Sequence, residues 1–141
     1  MNIKKARNLL NLTQSQIFDI PMRTIQNWEG GQTQCPAYVE KLVIQEMFEI
    51  ERRKKELNTG CKLAWAVVDT PIDLDGDWDI KYFETVLEAI NEAEMLYNHK
   101  TASELEKNKI SLILLPYEIE DGEMVQADDG DWQLEYEMNE K

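Results

Sequence analysis

Apolar positions along the chain change period near residue 60, and the change divides the sequence. In the first stretch they recur at helical spacing. Ile3, Ala6 and Leu10 fall at i, i+3 and i+7, one face of a short helix. A second helix is expected from Thr13, a good N-cap, with Gln16 placed to complete a capping box. Leu12 and Ile17 flank that start as an apolar staple. Pro21 stops this helix, and its fixed φ suits the first turn of a third. The third would run from about Pro21 to Glu29, burying Ile25 and Trp28, with Gly30-Gly31 closing it. Pro36 opens a fourth, whose apolar stripe is Val39, Leu42, Val43, Met47 and Ile50. The run Arg52-Arg53-Lys54-Lys55 would end it, where the macrodipole favours cations, and Asn58-Thr59-Gly60 reads as stop and linker.

Beyond residue 62 strand patterns take over. Leu63–Val68 is rich in β-branched and aromatic residues, and Trp78, Ile80 and Tyr82 alternate with Asp79 and Lys81. Between them lies a loop, Thr70–Asp77. Thr85 and Glu88 form a capping box, opening a helix in which Val86, Ala89, Ile90, Ala93, Leu96 and Tyr97 make one broad stripe. A shorter helix near Ser103–Lys107 has Ser103 and Glu106 at the same capping spacing. Ile110–Leu115 is apolar at nearly every position, as in a strand covered on both faces, and continues to the turn Asp121-Gly122. Trp132, Leu134, Tyr136 and Met138 alternate with polar residues, giving an edge strand with one wet, acidic face.

The expected fold class is therefore an N-terminal all-α helix-turn-helix bundle, residues 1–57, and a small acidic α+β domain, residues 63–141, joined by a linker at 58–62. The second domain has the order ββα(α)ββ, a helix packed on an antiparallel sheet. The stretch LTQSQ…IPMRTIQNWEGGQTQCPAYVEKL resembles the lambda-repressor/Cro-type (XRE-like) helix-turn-helix domain of bacterial and phage regulators. The resemblance covers about residues 2–48 and rests on Thr13-Gln14, Ile25, Trp28-Glu29, Gly30 and Pro36. Thr13 and Trp28 are closer than in that family by three residues, nearly one helical turn. The resemblance implies base contacts from Met22, Arg23, Thr24, Gln26 and Asn27 in the third helix. Their chemistry suits groove readout: Arg can be bidentate to guanine, Gln and Asn to adenine, and Thr or Met can touch a thymine methyl. The alternative is a solvated polar face. It further implies DNA-backbone contacts from Lys4, Lys5, Gln14 and Lys41, and a structural salt bridge between Arg7 and Glu29.

Charge sharpens the division. The whole chain carries 15 Lys+Arg against 28 Asp+Glu, net −13. Residues 1–60 hold nine basic and seven acidic residues, 9 − 7 = +2, and residues 61–141 hold six and twenty-one, 6 − 21 = −15. The total argues against non-specific polyanion binding but leaves room for a small groove-reading head. The first ten residues, MNIKKARNLL, hold no apolar stretch of signal-peptide kind, no segment has membrane-spanning length, and Cys35 and Cys61 make no disulfide framework. A cytoplasmic, membrane-free setting is expected.

Catalytic chemistry finds little support. There is no Gly-rich phosphate loop, GxSxG, or Cys/His cluster at zinc spacing, and nothing selects a pair among the acids. The single histidine, His99, sits at a helix end and reads as a cap or solvated group. Asp73, Asp75, Asp77 and Asp79 alternate through Gly76, yet an EF-hand counted from Asp73 needs Gly at position six, where Trp78 stands, and Glu at twelve, where Glu84 fits, so only half the pattern is met. No enzyme, metal or cofactor is expected. The leading expectation is a sequence-specific, homodimeric transcriptional regulator that binds double-stranded DNA through residues 1–57, its acidic domain serving dimerisation, effector binding or protein contact. The alternative is a phage-type inhibitor or adaptor whose acidic domain, residues 63–141, binds a basic protein as a nucleic-acid mimic, in the manner of an anti-CRISPR.

Overall fold

A computed structural model of the chain describes residues 1–17, 20–71, 79–127 and 131–138. Helices and an antiparallel sheet make it an α+β protein. Its residues fall into two compact units, 1–51 and 52–141, and the division lies inside one helix.

The first unit opens with α1 (Ile3–Leu9), capped by the Asn2 side chain, which accepts from the Lys5 amide at 2.8 Å. Where a second full helix was expected, the described residues form a single 3-10 turn, Gln14–Gln16. Gln16 still closes the predicted box, its Oε1 accepting from the Thr13 amide at 2.7 Å. The spacing to Pro21 is short by a turn, and a tight 3-10 turn fits the smaller number of residues. Next comes α2 (Met22–Glu29) with Pro21 at its N-cap, and Gly31, at φ 76°, supplies the left-handed residue beyond it. Ile25 is fully buried, whereas Trp28 is only half-buried.

The 23-residue α3 (Ala37–Thr59) differs from its predicted stripe. Val43, Ile44, Met47 and Phe48 are buried, while Leu42 is 62% exposed. The helix is rotated so that Ile44 and Phe48 take the core side, and Phe48 buries more surface than Leu42 would. The basic run lies within this helix, and its end comes at Gly60, φ 70°. Nothing before that glycine breaks the helix, and the i,i+4 pair Arg52–Glu56 supports it.

The second unit is organised on a strand. β1 (Leu63–Pro71) pairs β2 (Asp79–Phe83) on one edge and β3 (Asn108–Glu120) on the other, all antiparallel. The far edge of β3 is shared: β5 (Leu134–Glu137) pairs with residues 111–114, and β4 (Glu123–Gln126) with residues 117–120. β4 escaped the sequence reading, although Asp121 at φ 53° and Gly122 at φ 81° form the two-residue turn that usually joins paired strands. Pro116 stands where the far edge passes from β5 to β4. Its carbonyl accepts from the Ala127 amide, so its missing N–H falls on that same edge, in the gap where no ladder partner is needed.

Leu63–Val68 and Ile110–Pro116 are buried throughout. Leu63, Trp65 and Val67 share a face with Leu112 and Leu114, and α4 (Val86–His99) lies against these strands. Its Val86, Ala89, Ile90 and Ala93 are buried, with Leu96 and Tyr97 half-buried. Thr85 caps α4, accepting from the Glu88 amide at 3.3 Å. The ion pair Lys100–Asp69, at 2.9 Å, joins the end of α4 to β1. On the opposite face Ala66, Val68, Ile113 and Leu115 form a cluster against Ile80, Tyr82 and Trp132. α5 (Ala102–Lys107) is capped by Thr101, not Ser103: the Thr101 hydroxyl accepts from the Glu104 amide at 3.2 Å. Thr101 and Glu104 have the same spacing, and Lys100, extended at φ −83°, ψ 141°, leaves Thr101 as the first residue able to cap. The aspartates 73, 75 and 77 of the calcium-like pattern lie outside the described residues.

One chemical change at two depths tests this packing. Leu112→Ala, at a position with no exposure, is expected to lower stability by about 3 kcal/mol. Leu57→Ala, at 85% exposure on α3, should stay within about 0.5 kcal/mol. Urea denaturation of the full chain measures both.

Candidate nucleic-acid interface

The residues expected to read DNA occupy α2 and are sorted by the burial of Ile25. At about 100° per residue, Arg23 and Asn27 each lie roughly 160° from Ile25, while Thr24 and Gln26 sit to either side. Met22, Arg23 and Gln26 are exposed, Met22 at 49%. Thr24 and Asn27 are half-buried. The Asn27 carbonyl accepts from the Gln32 and Thr33 amides at 3.0 and 3.3 Å, tying the helix end to the loop that follows.

The far end of α2 is anchored by Glu29. Arg7 donates from Nε to Glu29 Oε2 at 3.0 Å and from Nη2 to Oε1 at 2.7 Å. Its Nη1 also donates to the Leu12 carbonyl at 2.9 Å. One guanidinium thus joins α1, the chain leaving α1, and α2, a task that suits the planar fork of Arg and not Lys. The side chains are 15% and 6% exposed. The Arg7 hydrogen bonds hold the Glu29 carboxyl below its ordinary range, with smaller help from a Gln14 hydrogen bond and the Lys4 charge. The same bonds raise the Arg7 pKa.

Gln14, half-buried on the 3-10 turn, also lies close enough to Glu29 to help lower its pKa. Sequence reasoning missed that link, because only the tertiary fold brings the 3-10 turn to the end of α2. Lys5 is exposed on α1, and Lys41 on α3 beside Glu40. Lys4 is exposed too, and it lines a cleft of about 520 Å³ with Trp28, Glu29, Cys35 and Glu40. Burial and the Glu40 charge push the Cys35 thiol up, away from the reactive thiolate.

The compact unit is less basic than the sequence division at residue 60 suggested. Residues 1–51 hold five basic and six acidic side chains, 5 − 6 = −1, because Arg52–Lys55 fall in the other unit. Any attraction for phosphate must therefore be local, from Lys4, Lys5, Arg23 and Lys41.

Elsewhere, His99 Nδ1 lies 2.7 Å from the Met95 carbonyl at the end of α4. Among the described residues no group of three or more His, Cys, Asp or Glu is placed to hold a metal ion. No described helix is long and apolar enough to cross a membrane.

The Arg7–Glu29 pair has a pH signature. A carboxyl whose folded pKa is depressed stabilises the fold above its unfolded pKa, and the contribution disappears as pH falls through the folded value. Glu29→Gln is therefore expected to cost about 2 kcal/mol at neutral pH. The gap to the parent should close on acidification below the ordinary carboxylate range. Urea titrations of both proteins across pH 2–7 measure it. No family model, curated protein or solved structure matches the chain.

Proposed function

We propose that the chain is a sequence-specific DNA-binding regulator that acts by binding, without catalysis. In this reading residues 1–57 work as a helix-turn-helix head, with the 3-10 turn standing in for the helix before the turn and α2 as the recognition helix. Residues 63–141 form an α+β domain that serves dimerisation, effector binding or protein contact.

The observation that carries the reading is the way α2 is presented. Ile25 buries one side and Glu29 is clamped by Arg7, while Met22, Arg23 and Gln26 remain exposed on a short, fixed rod. A helix held at its core side and its far end is preorganised for insertion into a major groove, and Arg and Gln carry the donors that distinguish base pairs there. With so few cations nearby, the head has little phosphate affinity to draw on. One eight-residue helix reads few base pairs, so selectivity calls for two heads on one operator.

The test is selection of bound sequences from a randomised duplex pool with the full chain at low salt. A defined motif is expected, lost in the Arg23→Ala/Gln26→Ala/Asn27→Ala variant. Arg23→Ala alone should alter preference at one position of the motif. Lys5→Ala should weaken all sequences alike and reduce the log–log salt slope by about 0.9. No retained duplex at low salt, or an identical motif from the triple variant, would overturn the reading.

A further inference from the structure

The cleft of about 520 Å³ in the first unit lies at the far end of α2, bordered by the start of α1 and the start of α3. Its volume falls within the ~300–1,000 Å³ of small-ligand sites. Trp28, half-buried, forms part of the wall, and Ile3 and Ala37 add apolar surface. A tryptophan left partly open to a cleft offers an aromatic surface on which a second ring can pack.

Two groups of opposite charge stand at the same cleft. The Glu29 carboxyl, held down mainly by the Arg7 hydrogen bonds, is lowered further by the Lys4 charge. The Cys35 thiol, raised first by burial, is raised again by the Glu40 charge. The Lys4 ammonium and the Glu40 carboxylate are thus close to wall residues, and among the described residues neither is in an ion pair. Glu29, the other carboxylate on the wall, already receives Arg7 at 2.7 and 3.0 Å. One ammonium and one carboxylate therefore remain to meet a ligand.

That combination restricts what can bind. A phosphate group would find a single lysine beside two carboxylates, and a simple amine would be repelled by Lys4. An uncharged hydrocarbon would cover both charges without replacing the water they lose. A ligand that carries both signs and one ring answers all three groups.

We propose that this cleft binds a free α-amino acid with an aromatic side chain. The ring packs on Trp28, the carboxylate meets Lys4 and the ammonium meets Glu40. The flexible four-carbon stem of Lys4 lets its ammonium reach a carboxylate borne on the same carbon as the ammonium that Glu40 holds. The site stands whether or not α2 reads DNA.

The experiment is a titration of the full chain, labelled with nitrogen-15 and free of duplex, followed by amide and indole NMR shifts. The probes are L-phenylalanine, phenylethylamine, phenylpropanoate and L-alanine, of which the last three each lack one of the required groups. L-phenylalanine should give saturable shifts that include the Trp28 indole and the amides of Lys4 and Glu40. Each of the other probes should bind about tenfold more weakly. Glu40→Gln should weaken L-phenylalanine about tenfold and leave phenylpropanoate, which has no ammonium, unchanged. Lys4→Met should weaken L-phenylalanine similarly and leave phenylethylamine unchanged, so a general loss of structure is told apart from loss of one contact. Absence of saturable shifts, shifts confined to residues outside the cleft, or equal binding by a probe lacking one charge would overturn the proposal. So would variants that bind L-phenylalanine as the parent does. With no duplex present, none of these outcomes bears on DNA recognition.

Discussion

A strand buried on both faces cannot leave its amides and carbonyls to water, and β3 is buried from Ile110 to Pro116. Both of its edges must therefore carry a ladder, and the second unit is the solution to that requirement. β1 covers one edge along nine paired positions. No single strand covers the other, so β5 and β4 divide it, and Pro116 occupies the interval where a donor would have been orphaned. α4 lies against the sheet, and its small residues Ala89 and Ala93 allow close approach. Lys109 ties β3 to β5 by bridging Glu135 and Glu137 at 3.0 Å each, which raises the Lys109 pKa. Four exposed acidic residues, Glu118, Glu120, Asp121 and Glu123, lie on the hairpin beyond Pro116, where β3 leaves the core.

The first unit has far less apolar surface to work with, and there a charged group does the joining. Arg7 uses three donors on two elements and the chain between them, and Glu29 receives two of them. Such a pair is retained for position as much as for stability, since it fixes the end of α2 with a directional, bidentate contact. The proposed DNA-reading face depends on that fixation, because base discrimination requires a helix that does not roll.

The two units divide the chemistry of the chain. Residues 1–51 are almost neutral, with a few exposed cations around a polar helix, and residues 52–141 carry ten basic and twenty-two acidic side chains, 10 − 22 = −12. Net negative charge in the second unit disfavours phosphate contact. The two proposals both lie in the first unit, one on the outward side of α2 and one in the cleft at its far end, and each stands on its own measurements.

Much of the local structure was legible in the residues. The stripe of α4, the Thr85 cap, the buried run of β3, the Asp121-Gly122 turn and the glycine stops after α2 and α3 follow from period and backbone preference, which act within a few residues. What the sequence left undetermined depends on neighbours far along the chain. The periodic stripe took in Leu42 and left out Phe48, and only the packing of α3 decides that Phe48 is buried and Leu42 exposed. Gln14 looks like any polar residue until the fold brings it to Glu29. Trp28 has the composition of a core residue, yet it ends half-buried on the wall of a cleft. Exposed Ile119 is indistinguishable in sequence from the buried isoleucines before it, because burial there is set by where the covering elements end. Local pattern thus determined most types of element and several of their stops; tertiary structure decided which side chains were consumed in holding them together and which remained exposed.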